Sequence, residues 1–217
     1  MKKLFYLAIG AVMLSSCEKD PDMNQLDSDF TVYTQYDEVA DFSSASTYYL
    51  PDSILTIGDG MKAIYWKDDN AQSLLAQVAS EMNLRGYQRS EKKESADLGI
   101  QLTYVETNTQ VTGWVGGGWG WDSWWSPSFW GPYWGGGWYY PYPVSYSYST
   151  GTMVMEMVDL RNAPVDETTQ TQLPVIWQAV SSGLLSSSNH FNLQLVERAI
   201  DQSFTQSPYI QNNVNNK

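Results

Sequence analysis

Residues 96–107 read Ala-Asp-Leu-Gly-Ile-Gln-Leu-Thr-Tyr-Val-Glu-Thr. Leu98, Ile100, Leu102 and Tyr104 fall on one side of an extended chain, with Gly99, Gln101 and Thr103 among those opposite, because strand side chains alternate with a period of two. That pattern predicts a half-buried strand, with one face on a core and the other toward solvent. A second stretch, Thr152–Leu160, repeats it: Met153, Met155 and Met157 lie on one side, Val154, Glu156 and Val158 on the other. Residues 174–181 form a third strand, carrying Trp177, and a hairpin is the economical link between the last two.

Working outward, Thr31–Tyr36 is β-branched and aromatic and reads as a first strand. Ala45–Leu50 reads as a second, ending at Pro51. Ile54–Lys67 has no clear period, although Ile57-Gly58-Asp59-Gly60 is a turn. Asp68, Asp69 and Asn70 offer oxygens to the start of a helix, on which Ala71, Leu74, Leu75, Val78 and Met82 share one face. Arg85 and Gly86 mark its end. Asn192 opens a closing helix with Leu193, Val196, Ile200 and Phe204 on one face, and Pro208 follows it. The expected fold is α+β: a mainly antiparallel sheet with two amphipathic helices packed on one face. One domain is expected over residues 29–209, with a disordered tail at 210–217.

Between the strands at 96–107 and 152–160 lies an aromatic, Gly-rich insertion, residues 107–150. Its heart, from Gly113 to Gly151, holds eight of the ten tryptophans, and Asp122 is its only charge. A phosphate loop needs backbone N–H groups at a helix start and usually a following Lys; none follows Gly116-Gly117-Gly118, so no nucleotide is expected. Three roles remain for the aromatics: a flap packed on the sheet or touching a protein, a stacking platform for sugars, or contact with lipid headgroups. Trp119, Trp121, Trp124, Trp125, Trp130 and Trp134 are the candidate contact surface.

At the other end, Lys2-Lys3 and the apolar run Leu4–Leu14 form a secretory signal, residues 1–16, too short to span a bilayer. Leu14-Ser15-Ser16-Cys17 resembles the lipobox of bacterial lipoproteins, in which the cysteine thiol takes a diacylglyceryl group. Two acyl chains suffice for stable attachment, so Cys17 is the expected lipidation site and residues 17–28 a tether. Glu18-Lys19-Asp20-Pro21-Asp22 resembles the export signals of surface lipoproteins in Bacteroides-type bacteria; a plain solvated tether is the alternative. The membrane is thus an expected partner through the anchor, and the expected location is the cell envelope, as an outer-membrane lipoprotein open to surface exposure.

Composition narrows the function classes. Without Lys2 and Lys3 the chain keeps ten basic against 24 acidic side chains, a net charge of about −14, which opposes nucleic-acid binding. Cys17 is the sole cysteine and His190 the sole histidine. That excludes an internal disulfide, a Cys-rich zinc cluster and a two-His metal site. His190 sits in a polar pre-helix stretch and reads as solvent-exposed. Asp97 and Asp159, at strand ends, are the one carboxylate pair worth weighing, and solvated acids are the plainer reading. No catalytic residue, metal or cofactor is expected.

Several short runs together resemble a known family: Asp37-x3-Asp41-Phe42-Ser43-x3-Thr47-Tyr48, Arg85-Gly86-Tyr87, Ala96-Asp97-Leu98, Gly151–Asp159 and Val175-Ile176-Trp177-Gln178. The order and spacing are similar to bacterial lipoproteins carrying the domain of unknown function 4136, over roughly residues 29–209. The resemblance implies this α+β lipoprotein domain and supplies no activity or catalytic residues. The long Pro164–Pro174 loop departs from the tighter hairpin usual there. The expected function is a non-catalytic binding or structural role at the envelope, toward an envelope protein or a glycan. A glycan-binding or glycan-processing surface lipoprotein using the Trp-rich loop is the alternative.

Overall fold

The computed structural model describes residues 31–57, 63–105, 111–114, 138–141, 145–148, 151–162, 173–185 and 192–212. Four strands form the centre of one sheet: β1 (Thr31–Tyr36), β6 (Leu98–Val105), β10 (Thr152–Asp159) and β11 (Leu173–Ser182), ordered β1-β11-β10-β6 and antiparallel throughout. The expected hairpin is the β10–β11 pair.

Along its far edge β6 is flanked in succession by two short strands, β2 (Thr47–Tyr49) and β3 (Ile54–Ile57), both parallel to it. Pro51 lies between them, and proline has no N–H to give a continuous ladder. β3 turns back into β4 (Ala63–Trp66) as an antiparallel hairpin, in the region where no sequence period stands out. A two-residue strand, β5 (Gln88–Arg89), closes the edge beside β2.

The helices follow their local signals. In α1 (Asp69–Leu84) the Asp68 side chain accepts from Ala71 N–H at 3.0 Å, an N-cap, and Gly86 beyond the C-cap Arg85 has φ +89°. In α2 (Leu193–Thr205) the Asn192 side chain accepts from Leu195 N–H at 3.3 Å. Their apolar faces close on the side of the sheet that carries Ile100, Leu102, the three methionines and Trp177. Trp177 is fully buried against Phe204, ring centroids 5.6 Å apart, and its indole N–H reaches Ser207 Oγ at 2.8 Å. Burying one such ring stabilises by roughly 4–6 kcal/mol at about 25 cal/mol per Å². The fold is therefore α+β with a mostly antiparallel sheet and two helices on one face.

Two expectations need correction. The strand at 98–105 is not half-buried: every residue of β6 is buried, and seven of the eight in β10 are too. The face opposite the helices is covered as well, in part by the segment 138–141 of the aromatic insertion. There β8 (Trp138–Tyr139) pairs in parallel with Leu173-Pro174, and Tyr140 is buried. The insertion also has regular structure, since β7 (Val111–Trp114) and β9 (Ser145–Tyr148) pair antiparallel as a separate ribbon. The tail, expected to fray from 210, is pinned further on. Ile210 is buried, Asn212 N–H donates to Arg85 O at 2.9 Å, and Asn212 Nδ2 donates to Gly86 O at 3.2 Å.

Gly151 brings the insertion back into β10. Its φ is +77°, its N–H donates to Val105 O at 2.9 Å, and a Cβ placed there would sit 2.5 Å from Leu185 Cγ. Both the left-handed backbone and the contact require glycine. Gly151→Ala is expected to cost about 1–3 kcal/mol, read as a lower unfolding midpoint in chemical denaturation; an unchanged midpoint would mean that this junction is not held as described.

Candidate functional site

Asp97 and Asp159 are brought near one another, but not as a reactive pair. Asp97 Oδ2 accepts from the backbone N–H groups of Ser46 (2.7 Å) and Thr47 (3.0 Å) and from the Thr47 hydroxyl (3.1 Å). Asp159 holds Arg161 through two contacts, 2.9 Å to Nε and 2.6 Å to Nη2. Arg161 in turn donates to Asp41 O and the Ser44 hydroxyl, and Leu160 N–H donates to Asp97 O at 2.8 Å. This network clamps the loop before β2 to the start of β6 and the end of β10. The expectation that both acids are simply solvated strand ends is corrected: each is a partly buried structural acceptor.

A third acid is different. Antiparallel register aligns Gln35, Gln178, Glu156 and Gln101 as one row across β1, β11, β10 and β6. Strand parity places this row on the face opposite the methionines. Glu156 is 2% exposed. The Tyr140 hydroxyl donates to its Oε1, and Gln178 Nε2 reaches the same hydroxyl at 3.4 Å. Gln101 Nε2 donates to Thr103 Oγ1 at 3.0 Å beside it. Burial pushes the Glu156 carboxyl up to about 7, against the opposing pull of the Tyr140 and Gln178 hydrogen bonds. Desolvation outweighs the donors because both are neutral. Sequence parity places Glu156 opposite the methionines, and its signal is an acid in mid-strand between Val154 and Val158.

Accessible chemistry lies elsewhere, where the helix layer stops. Short of the α1 N-terminus, the sheet face shows a groove of about 530 Å³ lined by Thr56, Ile64, Trp66, Tyr104 and the 67–70 turn into α1. The Trp66 and Tyr104 rings meet at 50° with centroids 6.0 Å apart. Trp66 Nε1 donates to Asp68 Oδ1 at 2.6 Å, the same oxygen that caps α1. Lys67 Nζ is paired with both Asp52 carboxylate oxygens, at 3.2 and 3.1 Å. Sequence reasoning passed over Trp66 because eight other tryptophans crowd one run and the 54–67 stretch shows no period.

Cys17, His190 and Trp119, Trp121, Trp124, Trp125, Trp130 and Trp134 lie outside the described residues. Among the described residues, no group of three or more His, Cys, Asp or Glu is placed to hold a metal ion. No described helix is long and apolar enough to cross a membrane.

The buried acid generates a pH prediction. Its folded value lies above the ordinary 4.5, so between about pH 4.5 and 7 the native state holds more proton than the unfolded chain. Stability from this group is full below that window and falls as pH rises through it, by at most about 3 kcal/mol at 1.36 kcal/mol per unit. Glu156→Gln keeps the shape and removes the titration. Its unfolding free energy should exceed that of the parent at pH 8 and converge toward it at pH 4.5. Parallel pH profiles for the two proteins would contradict the burial of a titrating carboxyl.

The family model for a domain of unknown function, DUF4136, matches residues 32–209. A crystal structure of a DUF4136 family protein from Bacteroides thetaiotaomicron is similar at 41% identity, covering 84% of this chain and 97% of that one, with a TM-score of 0.69. A PelC dodecamer structure from Paraburkholderia phytofirmans shares 12% identity over 84% of this chain and 98% of that one, with a TM-score of 0.38. No curated protein matches the chain by sequence. The family match spans the sheet, both helices and the Asp97–Asp159 clamp, and the chain belongs to the DUF4136 family.

Proposed function

We propose that the protein is a lipid-anchored domain of the bacterial cell envelope, held at the outer membrane, that works by binding rather than by catalysis. The observation that carries the anchor is Cys17, the sole cysteine, directly after a short apolar signal and Leu14-Ser15-Ser16. Residues 18–30 separate it from β1; fully extended they reach about 45 Å, enough to hold the domain clear of a headgroup layer.

Support for a binding role comes from how the acids are used. Asp97 and Asp159 are occupied as loop and arginine acceptors, and Glu156 is sealed under Tyr140. All three are engaged as acceptors within the fold, which supports a structural rather than an acid–base use. The chain's acidity argues against nucleic acid and nucleotide as partners. Envelope proteins and glycans remain as the partner classes. The glycan reading draws on the aromatic insertion, which the β8 pairing with Leu173-Pro174 and the Tyr140–Glu156 contact tie to the sheet. The charged run Glu18–Asp22 favours display on the cell surface.

Cys17→Ala should shift the protein from the membrane fraction into a soluble or uncleaved precursor form. The parent should take up a palmitate analogue and the variant should not. A variant that stays with the membranes, together with an unlabelled parent, would refute the anchor.

A further inference from the structure

We infer that Tyr140 and Glu156 form a proton-controlled latch: while the carboxyl is neutral, segment 138–141 of the aromatic insertion lies docked on the sheet, and ionisation of Glu156 releases it. The inference concerns how the insertion is held and does not depend on the binding role proposed above. Glu156 sits on β10, whose backbone is paired on both sides, to β11 at Gln178 and to β6 at Gln101. The acid therefore cannot reach water by moving its own strand. Tyr140 is the partner that can yield. It is buried with its hydroxyl donating to Glu156 Oε1, and its neighbours Trp138 and Tyr139 meet the sheet only at Leu173 and Pro174. Proline gives no N–H to that ladder, and so short a pairing is a local unit of low stability. The neck of the insertion is closed separately, by Gly151 N–H to Val105 O at 2.9 Å and by the Thr152–Val105 pairing. Segment 138–141 can thus lift while β6, β10 and β11 stay paired.

The charge on the acid sets the balance between the two states. Around it on this face lie Tyr33 and Gln35 of β1, Gln178 of β11, Gln101 and Thr103 of β6, and Tyr140 of the insertion. The two tyrosines are the titratable groups among these, and phenols carry no charge in the neutral range. A carboxylate sealed among neutral donors loses its hydration with no cation to replace it. Burial accordingly pushes this carboxyl up to about 7, against the pull of Tyr140 and Gln178. Lifting segment 138–141 gives the carboxyl to water, where it returns toward its ordinary 4.5 and its proton passes to solvent. The docked state is thus the protonated one. Between about pH 4.5 and 7, each unit of rising pH shifts the equilibrium toward release by up to about tenfold. A partner that holds the released insertion would in turn favour the ionised acid, since such coupling is reciprocal.

The test is hydroxyl-radical footprinting of the full lipidated chain in phospholipid nanodiscs, from about pH 5 to about pH 8, with oxidation of residue 140 read by mass spectrometry. In the parent, Tyr140 should be severalfold more oxidised at the upper pH than at the lower. In Glu156→Gln, which keeps the shape and cannot ionise, it should stay shielded at both. Met155 and Trp177, buried on the opposite face, should stay shielded throughout. Tyr140→Phe, with each profile scaled to its own unfolded chain, should release at lower pH than the parent, because the docked form has lost its bond to the insertion. Equal shielding of Tyr140 across the range in the parent overturns the latch. So does a rise of the same size in Glu156→Gln, which would trace it to another group. A rise shared by Met155 and Trp177 also overturns it, since the whole domain would then be opening. Should Glu156→Gln fail to fold, Tyr140→Phe decides, and a profile that coincides with the parent's overturns the latch.

Discussion

Register in the central sheet is the constraint on which the rest depends. β6, β10 and β11 are each buried on both faces, so neither face can tolerate the other's residues. One face must collect Ile100, Met157 and Trp177, and the other Gln101, Glu156 and Gln178. A slip of one residue in any pair would send a carboxyl or amide into the methionine-rich core and an aromatic ring into the polar row. Each such exchange leaves a buried polar group unpaired, at a cost of roughly 1–3 kcal/mol per group. The polar row thus acts against misregister as strongly as the apolar face acts for the native one. The shift between Met157 and Val158 in the β10–β11 pair comes after the Glu156 position, so that row stays aligned.

The elements legible in the sequence were those whose local chemistry agrees with their tertiary role. α1 shows its cap, its stripe and its glycine stop, and the structure uses Asp68, the Ala71–Met82 face and Gly86 in those roles. The parity of Met153, Met155 and Met157 was equally plain. The second covered face was not, because alternation reports that two faces differ and does not report whether water touches the second. Gln101, Thr103 and Glu156 look solvent-facing for that reason, yet all three are buried, and Tyr140, 16 residues before Glu156, bonds to that acid. The β3–β4 hairpin was hidden by a different cause. Ile54 and Leu55 are both fully buried, so neighbouring positions on opposite faces are alike and no alternation survives.

Family resemblance and physics meet at the clamp. Asp41, Thr47, Asp97 and Asp159 belong to the short runs by which the chain resembles its family, and the structure joins them through Arg161 and the backbone of Ser46 and Thr47. Those residues hold three separated segments in one geometry, a structural task met by acceptors aimed at backbone N–H groups and at a guanidinium. Tyr48 serves the same end on the helix side, where its hydroxyl lies 3.2 Å from both Ala79 O and Asn83 Oδ1. Motifs that look chemical in a sequence can therefore be joinery. The groove residues Trp66 and Asn70 stand outside the runs that carried the resemblance.

β6 links these two levels. Its N-terminal end is fastened by the Asp97 clamp, and its middle carries Gln101 in the polar row. At its C-terminal end Tyr104 forms a wall of the groove, and Val105 O accepts the Gly151 N–H where the insertion rejoins the sheet. Two devices thus bear on neighbouring strands: the buried Tyr140–Glu156 contact reaches β10 from the insertion, and the Trp66–Tyr104 ring contact reaches β6 from β4. Each brings a separate chain segment to a rigid, doubly buried strand. A residue set on such a fully buried strand is held more firmly than one set on a loop.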